Sequence, residues 1–278
     1  MRRAAVSLSL AALTLSACVG DDGARYRDYA AFISSEGGLR DDSSPSDAPF
    51  TNADLATNFN RIALNREYRR EGGRLVQEET PTGISRWSKP IHFQLVGSGV
   101  TEADRAEYAA LTARLSRLTG LEVTETAGEP NLSILILGPD ERRAFVRALD
   151  AEGAAERMPL VVQWAGDVAY PCIGQVGYLD AESGDITGAM IMIKSELGGL
   201  LRRSCIHEEL AQTLGLMNDD DHVRPSIFND DQEFALLTQH DEYLLRILYD
   251  PRLKPGMSAE VALPLVDEII KDLRPDAG

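Results

Sequence analysis

Residues 205–219 read Cys205-Ile206-His207-Glu208-Glu209-Leu210-Ala211-Gln212-Thr213-Leu214-Gly215-Leu216-Met217-Asn218-Asp219. On a helix, Glu208 and Gln212 stand four residues apart and present their side chains on one face. Gly215, three residues further on, is a helix-terminating residue that lets the chain turn. A turn there brings Asn218, ten positions after Glu208, back toward the same point. The stretch therefore predicts a helix that ends in a tight turn, with Glu208, Gln212 and Asn218 converging.

His207-Glu208 invites comparison with the zinc-peptidase pattern HExxH, but the residue four positions after His207 is Ala211, which binds no metal. Moved by one residue, the spacing Glu208-Glu209-x-x-Gln212-x-x-Gly215-x-x-Asn218 resembles the extended metzincin motif HExxHxxGxxH. Glu, Gln and Asn then stand in the three ligand positions, and the resemblance implies Glu209 as general base. Pro225-Ser226-Ile227-Phe228-Asn229 resembles the Met-turn of that family, with Phe228 in place of methionine. Thr238-x-x-Asp241 has the form of a capping box opening the helix that follows such a turn. The likeness covers roughly residues 91–249, by spacing more than by identity, and implies a zincin-like α+β domain. All three zinc histidines are missing, and amide oxygens are poor zinc ligands, so an orthodox zinc site is not expected. A harder divalent metal on oxygens from Glu208, Gln212, Asn218 and Asp219 is the cofactor this set allows. A metal site on His207 and His222 is a less orthodox alternative. His92 and His240 read as ordinary structural or exposed residues.

Outward from the motif, residues 133–137 are almost wholly apolar, as in a strand covered on both faces. Further strands are predicted at 75–79 paired with 85–87, and at 91–96, 160–164, 176–179 and 189–193, the last leading into the motif helix. Tyr108, Leu111, Leu115 and Leu118 share one face of a predicted helix over 101–119, which Gly120 stops. Pro139 opens a short helix. Leu55, Phe59, Ile62 and Arg66 mark a helix over 51–68, capped by Thr51 or Asn52. The segment 18–49, and 34–49 above all, is rich in Ser, Gly, Pro and Asp and reads as a flexible tether. One domain over 50–278 completes the organisation.

The N-terminus begins with Arg2 and Arg3, followed by an apolar run over 4–15, too short to span a bilayer and suited to a signal peptide of residues 1–17. Leu15-Ser16-Ala17-Cys18 resembles the lipobox of bacterial lipoproteins, which implies acylation of Cys18 and membrane attachment through lipid. Val19, rather than aspartate, follows the cysteine, which favours the outer membrane. The full chain carries a formal charge of −16, and −18 once Arg2 and Arg3 leave with the signal. An acidic surface of that size repels phosphate backbones and excludes a nucleic-acid partner. Cys172 and Cys205 are the remaining cysteines. In an oxidising exported compartment they most simply form one disulfide, with two buried thiols as the alternative.

A closer resemblance is to a domain-of-unknown-function family of bacterial lipoproteins. It rests on Phe50-Thr51-Asn52-Ala53-Asp54-Leu55, on Glu208-Glu209-Leu210-Ala211-Gln212 with Gly215 and Asn218-Asp219, on Ser226-Ile227-Phe228-Asn229, and on Leu248 through Met257. The leading expectation is a lipid-anchored, periplasm-facing envelope protein whose degenerate metzincin-like domain binds or assembles with an envelope protein or peptide and catalyses nothing. The alternatives are a metal-dependent peptide hydrolase with Glu209 activating water, and an unrelated α+β lipoprotein with a chance match in spacing. For the anchor, Cys18→Ser is expected to leave an unprocessed precursor that takes up no labelled fatty acid in cells; continued acylation of that variant contradicts the lipobox reading.

Overall fold

The computed structural model describes residues 21–71, 74–180, 183–229 and 231–275; the signal segment and Cys18 lie outside them. The chain starts with α1 (Asp22–Ser35) and α2 (Asn52–Ala63), then an antiparallel ribbon of β1 (Asn65–Glu71) and β2 (Arg74–Pro81). The main sheet and its connections follow. They are β3 (Arg86–Trp87), β4 (Ile91–Val96), α3 (Glu102–Thr119), β5 (Val123–Glu125), β6 (Leu132–Leu137), α4 (Pro139–Ala151), α5 (Pro159–Gly166), β7 (Cys172–Tyr178) and β8 (Asp185–Lys194). The chain closes with α6 (Gly199–Gln212), α7 (Gln239–Leu248) and α8 (Ala259–Leu273).

Five strands of the main sheet run β3-β8-β6-β4-β5, all parallel, and the sixth, β7, lies antiparallel on the free side of β8. Register is set by alternation. Ile91, Phe93 and Leu95 of β4 point the same way as Leu132, Ile134 and Ile136 of β6, and all six are buried in one core. That core is completed by Tyr108, Leu111 and Leu115 of α3, Leu210 of α6 and Leu244 and Leu248 of α7. On the opposite face, Leu137 and Met192 pack with Leu149 of α4 and with Val161 and Trp164 of α5. β6 is thus covered on both sides, which is why its sequence does not alternate with polar residues. The architecture is a mixed α/β one built on a mostly parallel sheet, with helices on both faces.

Helix ends follow the local chemistry. Thr51, Thr101 and Thr238 each accept a bond from the backbone three residues on, and Asp54, Asp104 and Asp241 return it, closing three capping boxes. Gly120 adopts a positive φ of 73° and stops α3.

Four expectations differ from the structure. The strand expected at 160–164 is the helix α5: Pro159 presets the first turn, and its fully buried residues are Val161 and Trp164, three apart. The helix expected over 51–68 ends at Ala63 because the next residues pair as β1. The segment at 75–79 belongs to β2 and pairs with β1, whereas Arg86–Trp87 joins β8 in parallel. The tether expected over 18–49 is, from residue 21 on, ordered against the domain. Tyr26, Ile33, Leu39 and Ala48 are buried there, and the Leu39 and Arg40 amides donate to the Gln232 and Glu233 carbonyls at 2.8 and 2.7 Å. Composition measures what a segment can bury by itself; this one uses apolar surface supplied by the domain.

Cys172 and Cys205 form a disulfide with a Cα–Cα distance of 5.9 Å, joining the first residue of β7 to the middle of α6. The bridge closes a loop of sequence separation 33. Loop-closure entropy for that length gives a stabilisation of about 3–4 kcal/mol. The double variant Cys172→Ala/Cys205→Ala is expected to melt about 6–16 °C lower in calorimetry, at about 2–4 °C per kcal/mol for a chain of this size. An unchanged melting temperature contradicts the assignment.

Candidate functional site

α6 lies against β7 and β8 and carries the residues singled out by spacing. Its start is fixed by Arg202, whose guanidinium donates twice to Asp104 of α3 at 2.6 Å and once to the Gly99 carbonyl, all largely buried. Its middle is tied to β7 by the disulfide. Its end is fixed by Gly215, where φ is +116° and a Cβ would collide with the Ser85 carbonyl oxygen. Trp87 Nε1 donates to the Thr213 carbonyl at 2.8 Å, and the Tyr249 hydroxyl donates to the Leu214 carbonyl at 2.8 Å. The turn after α6 is therefore held from two sides.

Past this turn the chain does come back to the helix. Gln212 Nε2 donates to both carboxylate oxygens of Asp219, each at 3.1 Å. Asn218 is buried, and its Nδ2 donates to the Arg61 carbonyl at 3.0 Å at the end of α2. Asp220 N donates to the Phe228 carbonyl at 3.0 Å, so the returning segment rests on the turn 225–229. That turn is organised by Asp241, which has no exposed surface. Its carboxylate accepts from Ser226 Oγ at 2.6 Å, from the Ile227 and Thr238 amides, and from Thr238 Oγ1. Phe228 is fully buried above it.

The two glutamates part company. Glu208 is half-buried on the flank facing α1, where burial first and the Glu208 charge second raise the Tyr29 hydroxyl pKa. Glu209 is 5 % exposed and points at β7: its Oε2 lies 2.7 Å from where a Cβ on Gly174 would sit. That oxygen has no hydrogen-bond partner among the described residues. Burial, and after it the charges of Asp219 and Glu67, hold the Glu209 pKa well above the usual carboxylate range. The fully buried Tyr108 hydroxyl, likewise without a partner among the described residues, is raised by burial and then by Glu209. Burial and two neighbouring negative charges thus both favour the protonated form of Glu209.

The histidines are engaged elsewhere. His207 Nδ1 accepts from the Leu237 amide at 3.1 Å, which leaves Nε2 to donate to Glu107 at 2.8 Å. Burial, outweighing Glu107, lowers its pKa. Both nitrogens are in use, and His222 is exposed and bonded to Asp220. The two are not brought together as ligands. His240 is buried against Phe50 and Asn58, and His92 bonds Thr124. No group of three or more His, Cys, Asp or Glu among the described residues has the placement to hold a metal ion. Of the four oxygen-bearing candidates, the structure joins Gln212 to Asp219; Asn218 bonds the Arg61 carbonyl of α2, and Glu208 is half-buried and acts on Tyr29.

Sequence reasoning missed Glu107 and Asp241. The first is hidden on a helix face otherwise read for its apolar residues. The second was visible as a capping residue, but its reach to Ser226 depends on tertiary packing.

No helix among the described residues is long and apolar enough to cross a membrane. Fold and site together define a mixed α/β domain whose motif helix ends in a polar, hydrogen-bonded turn. The chain belongs to the family described as protein of unknown function (DUF2927), whose model matches residues 52–268. No curated protein and no solved structure matches it.

The carboxyl of Glu209 yields a signed pH test. Its folded pKa is raised, so above the unfolded value of about 4.3 the native state binds more protons than the unfolded chain, and stability falls as pH rises. Glu209→Gln removes that slope while keeping volume. The variant is expected to melt about 2–4 °C higher than wild type at pH 8 for each kcal/mol recovered, with the gap closing near pH 5. A gap that widens toward acid pH refutes a raised Glu209 pKa.

Proposed function

We propose that this chain is a lipid-anchored, periplasm-facing envelope protein, attached through Cys18, whose zincin-like domain has no metal chemistry and serves binding or assembly. The observation that carries the reading is the Gln212–Asp219 pair. In the metzincin-like frame Gln212 stands at the second ligand position, and its amide N–H groups point to where a cation's partners would be. They donate to both Asp219 oxygens, so a neutral NH₂ group takes the role a metal ion would have.

The order of elements supports the zincin-like frame. A central strand, β8, leads to the motif helix α6; a positive-φ glycine turns the chain; Asp219 comes back to Gln212; the Ser226–Asn229 turn lies against the returning segment; and α7 follows with its capping box. The peptide-hydrolase alternative requires Glu209 to accept a proton from water. Its burial against Gly174 and its raised pKa both count against Glu209 in that role.

The frame is tested by restoring what it lacks. Wild-type protein purified without chelator is expected to carry no stoichiometric metal and to cleave no peptide substrate. The variant Glu208→His/Gln212→His/Asn218→His is expected to take up about one zinc per chain, because three imidazoles at this spacing make a tetrahedral site with one open position. The double variant Glu208→His/Gln212→His spares buried Asn218 and is expected to bind zinc more weakly. If both variants fold, judged by near-ultraviolet dichroism, and neither binds zinc above wild type, the zincin-like frame is wrong. Stoichiometric metal with peptide cleavage by the wild type overturns the non-catalytic reading.

A further inference from the structure

We infer that the outer face of α1, carrying Arg25, Tyr29 and Phe32, is a bilayer-contact surface that seats the domain on the leaflet holding its anchor. The inference rests on the lipidation of Cys18 argued above, and deepens it by assigning the face that meets the membrane.

α1 has two unlike sides. Gly23, Tyr26 and Ile33 are buried against the domain, and the Tyr26 hydroxyl donates to the Val168 carbonyl at 2.8 Å. On another face, Phe32 is 63 % and Tyr29 43 % exposed, one turn apart, with Arg25 exposed a turn earlier. Among the described residues, the other large exposed apolar side chains, Val96, Leu179 and Val261, do not share an element. Paired exposed aromatics on one helix face call for a partner surface in a way that scattered ones do not.

Chain length names the partner. Cys18 and Asp21 are three residues apart, and three residues reach at most about 10 Å when fully extended. The start of α1 is therefore confined to the headgroup layer of the leaflet that holds the acyl chains. Phe32 lies about 15 Å along the axis from the helix start. A helix standing upright would carry it out of the interface, and one lying flat keeps it there. Tyr and Phe side chains suit that layer, with their rings at the glycerol level, while Arg25 is paired with Asp22 at 4.0 Å. The contact need not be strong by itself, because the anchor holds it at millimolar effective concentration. The acidic mature chain, at −18, is not recruited by charge to an anionic leaflet. Ring insertion under a short tether is the mode that remains, and it is insensitive to salt.

The opposite end of the molecule provides the control. α1 packs beside Glu196 and Gly198, just beyond the last residue of β8, whereas Leu179, 90 % exposed, follows β7 at the first residues of β8. The ten residues of β8 separate the two ends by about 30 Å.

The experiment uses the full acylated protein, purified in detergent and placed in vesicles of phosphatidylethanolamine and phosphatidylglycerol with or without lipids brominated high on the acyl chain. Two variants are compared, Phe32→Trp and Leu179→Trp; the native Trp87 and Trp164 are buried and give a constant background. The Phe32→Trp protein is expected to lose about half or more of the added emission to bromine, at low and high salt alike, as an indole at the interface would. The Leu179→Trp protein is expected to lose none. Intact mass reads acylation separately. Acylated Phe32→Trp protein with an unquenched indole, or equal quenching in the two variants, overturns the docking face and leaves the anchor standing. Protein without acyl mass overturns both.

Discussion

Helix α6 can lie close on the sheet because β7 has no side chain at Gly174. The Glu209 carboxyl fills that gap, with its Oε2 at 2.7 Å from the missing Cβ position. Everything else about the motif helix follows from this approach. The Cys172–Cys205 bond becomes geometrically available two residues along β7. The Arg202–Asp104 pair locks the near end of the helix to α3, and the Gly215 turn sits on the Ser85 carbonyl at the far end. Burial there, with the charges of Asp219 and Glu67 nearby, raises the pKa of this carboxyl. The same contact that positions the helix thereby shifts the titration of its most conspicuous acid upward.

The polar turn beyond α6 is held together by hydrogen bonds within the chain. Gln212 links helix to returning segment through Asp219, Asn218 fastens that segment to α2, and Asp241 gathers the 225–229 turn and the cap of α7 around one buried carboxylate. Each of these groups has donors or acceptors satisfied by the chain itself, which is how buried polar atoms are tolerated in a core. The arrangement is a polar network bridging helix and turn, with its hydrogen-bonding capacity directed inward.

Much of the fold could be read in the sequence where one local rule decides. Residues 133–137 are apolar throughout because β6 is sandwiched, and Thr101, Gly120, Pro139 and Thr238 mark helix ends by chemistry that acts within a single turn. That the chain returns toward Gln212 was legible from the glycine spacing, but the residue that meets it is Asp219, while Asn218 bonds the Arg61 carbonyl. What was not legible depends on partners distant in sequence. Val161 and Val162 favour a strand locally, yet the demand of Trp164 and Val161 for one buried face makes a helix of α5. The order of residues 21–49 comes from Gln232, Glu233 and other domain groups that pair with it. Which of two adjacent glutamates faces the sheet was decided by Gly174, thirty-odd residues upstream in a different element.

The disulfide also changes how the sheet can come apart. β7 is an edge strand with a single neighbour, β8, among the described residues, and an edge strand is ordinarily the one that peels first. Here its first residue is welded to a buried helix, so peeling from that end would drag α6 out of the core with it. The opposite edge has no such fastening: β5 is three residues long and paired only to β4. Under mechanical or thermal load the sheet should therefore unzip in one direction, from β5 inward, leaving β7, β8 and α6 as the last part to let go.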